Sequence, residues 1–157
     1  MSPMPVSERA DEDRIERVAR ECIANKVRLL NRAVTAVYDE ALRPHQLKIS
    51  QMSVLVTVAK MGHASAAAVG RRLHMEKSTV SRNVERMRAR GWLEAIATED
   101  GRTSELRVTA RGKRLLRDVH PAWSRAQERA AEMLGDQGVH GITRTVDLLG
   151  RKERGKG

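Results

Sequence analysis

The chain contains no phenylalanine, and only three of its 157 residues are aromatic: Tyr38, Trp92 and Trp123. A core must therefore come from Leu, Val, Ile, Met and Ala, which suit packed helices better than a large sheet. The single cysteine, Cys22, excludes an internal disulfide framework and fits a reducing compartment. No apolar run reaches the roughly 18 residues of a membrane-spanning helix, and the first residues lack the apolar stretch of a signal peptide. A soluble, cytoplasmic protein is expected. Also missing are a Gly-rich phosphate loop, a G-x-S-x-G elbow and any catalytic spacing of carboxylates, His or Cys, so the sequence gives no support to an enzyme. His45, His63, His74, His120 and His140 are scattered, with no pair at the three- or four-residue spacing that places two metal ligands on one helical face.

What the chain has in excess is positive charge. Thirty Lys and Arg stand against twenty Asp and Glu, a net +10, which favours a polyanionic partner. The charge is concentrated. Between Arg71 and Arg90 lie seven cations (Arg71, Arg72, Lys77, Arg82, Arg86, Arg88, Arg90) and two anions (Glu76, Glu85). Residues 1–13, by contrast, are acid-rich with almost nothing apolar to bury, and read as a disordered arm.

Hydrophobic spacing divides the rest. One long helix over 14–44 carries an apolar stripe through Ile15, Val18, Cys22, Leu29, Leu30, Val34, Val37 and Leu42 and ends at Pro44, which disfavours helical geometry in the residue before it. A second amphipathic segment, 49–61, is expected to turn Met52, Leu55, Val56 and Ala59 one way, and Gly62 stops it. Ser65 can cap a short third helix, SAAAVGRRL. HMEK then turns into a fourth helix from about Ser78 to Arg90, closed by Gly91. Strands at 93–97 and 104–109 flank Thr98-Glu99-Asp100-Gly101-Arg102, whose Asp-Gly pair is a strong hairpin signal. A long helical pattern returns from Arg111, with a bend expected at Pro121 and a break at 135–138, and runs to about 150 before a basic tail, 151–157.

Helix, turn, basic helix, then a hairpin with a charged tip is the order of a winged helix-turn-helix, so 45–110 is the expected DNA-binding region. In the fourth helix Val80, Val84 and Met87 fall at i, i+4 and i+7 and face a core, leaving Thr79, Ser81, Arg82, Glu85 and Arg86 outward. Ser78, Thr79 and Ser81 offer short hydroxyls to phosphates or base edges near a helix N-terminus. Arg82 suits bidentate contact to a guanine, while Lys77 and Arg86 suit phosphates. Read structurally instead, Ser78 and Thr79 would cap the helix and the arginines would pair with Glu85. At the hairpin tip Asp100 and Arg102 either pair with each other or let Arg102 enter a narrow minor groove. The helices at 14–44 and 111–150 are too long and too apolar for a lone reading module, and imply a homodimer closed by its ends.

LHMEKSTVSRNVERMRARGWLE, followed by Asp100-Gly101-Arg102 and VTARG, resembles the MarR (multiple antibiotic resistance regulator) family. ALRPHQLKISQMSVL is similar to the junction of that family's first two helices. The resemblance implies a mainly α winged helix-turn-helix fold with long N- and C-terminal dimerisation helices and a two-stranded wing. It implies a homodimeric repressor of pseudo-palindromic promoter sites on double-stranded DNA, nucleoid-associated when bound. Its DNA contacts carry over onto Ser78, Thr79, Ser81, Arg82 and Arg102. Gly101 stands where the family's wing often has arginine, which removes one phosphate contact.

The resemblance also implies release by a small aromatic, often phenolic, effector, whose binding residues the sequence does not identify. His45, after Pro44, could meet an acidic ligand or cap its turn. In other members of the family a first-helix cysteine senses oxidation. Cys22 lies in that helix, yet it sits on the apolar stripe, Glu21 opposes Arg20 and Lys26, and no second cysteine can resolve a sulfenic acid. Packing is its expected role. A redox-sensing repressor, a non-specific architectural protein and a protein-only adaptor are the competing readings; the last predicts no dependence on Arg82 or Arg102.

Overall fold

The computed structural model describes residues 6–98 and 104–154. Its elements are α1 (Val6–Glu21), α2 (Ile23–Leu42), a 3-10 turn (Arg43–His45), α3 (Ile49–Met61), α4 (Ala66–Leu73), α5 (Lys77–Ala89), β1 (Leu93–Ala97), β2 (Ser104–Val108) and α6 (Ala110–Arg154). The chain divides into two units, 1–36 and 37–157.

In the first unit α1 begins at Val6, so the part of the acidic arm from Val6 onward is helical rather than disordered. Arg, Glu and Ala are good helix formers, and Arg14 pairs with Asp11 one turn back at 2.8 Å and Arg17 with Glu21 at 3.1 Å. The expected single first helix is also divided, at Cys22, but the i to i−4 bonds run through the division: Cys22 N–H to Val18 O at 3.1 Å and Lys26 N–H to Cys22 O at 3.2 Å.

The second unit holds the core. Leu42 and Leu47 are fully buried on either side of the 3-10 turn. The chain reverses there through Gln46, whose φ of 54° is left-handed. Gln46 N–H reaches Arg43 O and Leu47 N–H reaches Leu42 O, the paired closure of a Schellman motif. The first amides of α3 find side chains: Ile49 N–H donates to Asp39 Oδ1 at 2.8 Å and Lys48 N–H to Gln51 Oε1 at 3.1 Å. The buried face of α3 is Gln51, Met52, Val54, Leu55 and Val58; Val56 and Ala59, expected with them, are exposed. This helix is apolar nearly all round and packs against α4, β2 and α6, so its own periodicity does not select a face.

Strands β1 and β2 pair antiparallel from Leu93↔Val108 to Ala97↔Ser104. Ala64, between α3 and α4, adds a third line to this small sheet by exchanging both backbone bonds with Leu106, at 3.1 and 2.8 Å. The helix α6 runs through Pro121 and leaves helical geometry at Gly135 (φ 67°, ψ 165°), at the start of the expected 135–138 break, resuming at once. Among the described residues no helix is long and apolar enough to cross a membrane.

Candidate nucleic-acid interface

The pair α4–α5 is shaped by its ends. Ser65 caps α4 as expected, its Oγ accepting from Ala68 N–H at 3.1 Å. The turn that follows places His74 in the left-handed region (φ 50°), with His74 N–H on Arg71 O and Met75 N–H on Gly70 O. Gly70 lets the helices approach: a Cβ there would lie 3.3 Å from both Met75 O and Val80 Cγ2. At the far end of α5, Gly91 (φ 69°) closes the helix through Gly91 N–H to Arg88 O and Trp92 N–H to Met87 O, both 2.9 Å.

Between these ends α5 is two-faced. Val80, Asn83, Val84 and Met87 are buried; Lys77, Ser78, Ser81, Arg82, Glu85 and Arg86 are exposed. Thr79 is half-buried rather than fully outward. Glu76 is the N-cap residue, so Ser78 and Thr79 lie inside the first turn and neither caps it. No ion pair joins Glu85 to Arg82 or Arg86 among the described residues. Hydroxyls and guanidinium groups are thus left facing water along one side of a helix whose other side is locked into the core. Such a face can donate to phosphates and to base edges in a major groove. Asp100 and Arg102 lie outside the described residues.

The hairpin is tied to the α3–α4 loop, the exit of α5 and the start of α6 by contacts that sequence spacing does not announce. His63 Nδ1 meets Glu105 Oε2 across the Ala64–Leu106 bridge, and Arg107 pairs with its cross-strand neighbour Glu94 at 2.9 Å. Thr109 gathers the junction with α6: its Oγ1 donates to Gly91 O at 2.6 Å and accepts from Gly112 N–H at 3.0 Å, and its own N–H reaches Trp92 O at 3.1 Å. Gly112 has to be small here, since a Cβ would lie 2.3 Å from Trp92 O. The motifs R-G-W-L and V-T-A-R-G are therefore two halves of one joint. Arg90 spans that joint toward α3, its guanidinium 4.9 Å from the Trp92 ring centroid and donating to Gln46 O at 2.9 Å.

Cys22 is a free, half-buried thiol. Tyr38 donates its hydroxyl to Gln127 Oε1 on α6, and burial pushes its pKa above the usual phenol value.

Comparison with known proteins places this geometry. The sequence model of the MarR family matches residues 45–103, from the 3-10 turn to the hairpin tip. No curated protein matches the chain. A mutant of MarR from E. coli complexed with operator DNA is similar in fold, with a TM-score of 0.75 at 14% identity over 85% of this chain and 96% of that one. The M. tuberculosis transcriptional regulator MOSR in complex with DNA has a TM-score of 0.72 at 28% identity, over 86% and 98% of the two chains. BpsR of Bordetella bronchiseptica, whose DNA binding is regulated by 6-hydroxynicotinic acid, has a TM-score of 0.71 at 18% identity, over 95% and 99%. A two-faced α5, a hairpin joined to its exit and the matching family model lead to one conclusion: residues 45–103 match the MarR family, and the chain has the winged helix-turn-helix fold of the solved MarR-family regulators.

Proposed function

We propose that this protein is a homodimeric repressor that binds pseudo-palindromic promoter DNA and releases it when a small aromatic or phenolic acid binds. The observation that carries the reading is the outward face of α5, where Lys77, Ser78, Ser81, Arg82 and Arg86 are exposed above a buried Val80, Val84 and Met87. In this reading Arg82 takes a guanine edge, Ser78, Thr79 and Ser81 take phosphates or base edges, and Lys77 and Arg86 hold phosphates. Asp100 and Arg102 serve the hairpin tip, with Arg102 directed to the minor groove.

The dimer is supported by large apolar side chains left exposed: Ile15, Val18, Ile23, Val27 and Leu29 in the first unit, and Val146, Leu148 and Leu149 on α6. Two-fold symmetry would set two α5 helices in successive major grooves about 34 Å apart. The effector is supported by a cleft of about 480 Å³ between α4 and α5, with Ala67, Met75, Val80 and Val84 as apolar walls and Arg71 and Lys77 beside them. An aromatic ring fits the walls, a carboxylate suits the cations, and the ligand would sit against Ser81 and Lys77.

The test is fluorescence anisotropy on the intergenic DNA beside the protein's own gene, with competitor DNA at near-physiological salt. Binding about a thousandfold above competitor, reversed by an aromatic acid, is expected. Binding no tighter than competitor would replace this reading with an architectural one.

A further inference from the structure

Positive surface continues past Arg86 toward the joint between the exit of α5 and the start of α6. Two open clefts lie there. One, of about 410 Å³, is bordered by Gln46, Lys48, Gln51, Arg86 and Arg90. The other, of about 730 Å³, is bordered by His45, Gln46, Arg90, Arg111, Arg114 and one carboxylate, Asp118. Gln46 and Arg90 belong to both, so the clefts are neighbours and the strip runs unbroken from the last turn of α5, across the α2–α3 turn, to the start of α6.

Five Lys and Arg side chains, Lys48, Arg86, Arg90, Arg111 and Arg114, line this strip against a single acid, and none closes an ion pair among the described residues. Like charges gathered on a surface repel, and a polyanion laid along them relieves that repulsion. The strip is also held in shape. Arg90 is fixed between the Trp92 ring and Gln46 O. The Thr109 bonds clamp the start of α6 to the exit of α5. Arg111 and Arg114, three apart, share one helical face. The lining is mostly polar: beside exposed Pro44 and half-buried Leu115, its one tryptophan, Trp92, is 6% exposed, with the Arg90 guanidinium over it. A polar, cationic, open groove suits a phosphodiester backbone, in contrast to the apolar cleft between α4 and α5.

We propose that DNA binding extends along this strip, with Lys48, Arg111 and Arg114 holding phosphates of the duplex beyond the groove that α5 enters. The inference rests on α5 being seated in a major groove. It adds affinity and salt dependence, and no base preference.

The test compares wild type with the double variant Arg111→Gln and Arg114→Gln, and separately with Lys48→Gln. Glutamine keeps much of each stem and removes the charge. Anisotropy would be followed from 50 to 300 mM salt on two labelled duplexes of equal length, the intergenic one and a random sequence. Each substitution removes two contacts from the homodimer, and each lost phosphate contact lowers the slope of log affinity against log salt by about 0.9, so the double variant should lose nearly 4 from the slope and roughly 100- to 1,000-fold in affinity near 0.15 M. Both duplexes should weaken by the same factor, leaving their ratio unchanged, and the single Lys48 variant should lose about half as much slope. Variants that keep the wild-type melting temperature, slope and affinity would overturn the proposal. So would an unchanged slope with a lost response to 4-hydroxybenzoate, which would make the cleft a small-acid site. Failure of the wild type to bind either duplex would bring down the underlying α5 reading, and this inference with it.

Discussion

Replacing Gly112 by alanine puts a methyl carbon 2.3 Å from Trp92 O and 2.8 Å from Val108 Cγ1. Carbon–oxygen contacts settle at about 3.3 Å or more, so the first turn of α6 and the Trp92 backbone must separate by about 1 Å. Neither wall yields easily: one is backbone bonded into the Gly91 closure, the other a valine that is 4% exposed. Two effects oppose. Alanine is preferred to glycine inside a helix by roughly 0.5–1 kcal/mol. Overpacking a filled interior costs about 1–3 kcal/mol. Moving α6 also strains the three bonds that meet at Thr109, each worth about 1 kcal/mol. The clash wins, and the expected loss is about 2–4 kcal/mol. Urea unfolding followed by far-UV circular dichroism measures it directly, and the melting temperature should fall by about 5–15 °C. An alanine variant as stable as wild type would refute the reasoning, because the joint between hairpin and α6 would then give way without cost.

Gln46→Gly should raise stability by about 0.5–1 kcal/mol, since glycine accepts the left-handed backbone at little cost and the carbonyl that Arg90 uses is retained; a lower urea midpoint would contradict this. Arg82→Ala should lose roughly 5- to 150-fold in discrimination between operator and random DNA, with the sedimentation coefficient unchanged, and full operator affinity would remove Arg82 from base reading. The Tyr38 phenol has a folded pKa raised by burial above its unfolded value of 10.0, so its contribution is complete below pH 10 and is lost as pH rises beyond it; Tyr38→Phe should flatten that alkaline decline in unfolding free energy, and an identical decline would exclude Tyr38 as its source. Cys22→Ser should leave DNA binding in the presence of peroxide as it is in wild type, without release in either, and peroxide release abolished by the substitution would make Cys22 a sensor.

The middle of the chain was legible because its punctuation is local. Ser65, Gly91 and the apolar spacing at Val80, Val84 and Met87 each act within one or two turns, and α4, α5 and the hairpin strands fall within about a residue of where those signals put them. Elsewhere the deciding contacts are distant. A single bridge at Ala64 carries no periodicity, and nothing near Arg90 announces a partner at Gln46. The early start of α1 was hidden because apolar content is a poor guide to a helix held by exposed ion pairs. The break expected at 135–138 falls at Gly135, which adopts a backbone region that other residues essentially do not visit. Of the site, the α5 residues could be read from their period. The cationic strip could not, because Lys48, Arg90 and Arg114 come from three elements joined only by folding.

That one glycine acts as the elbow of a lever. Beyond Gly135 the chain continues as a helical arm to Arg154, roughly 28 Å long at 1.5 Å per residue, and the arm carries Val146, Leu148 and Leu149 outward. A swing of only about 10° at the elbow carries the far end through about 5 Å, more than the 3.4 Å rise of one base pair. If two copies meet through this arm, the φ and ψ of Gly135 help set how far apart they hold their reading helices. A residue that touches no DNA would then help choose the spacing of the operator.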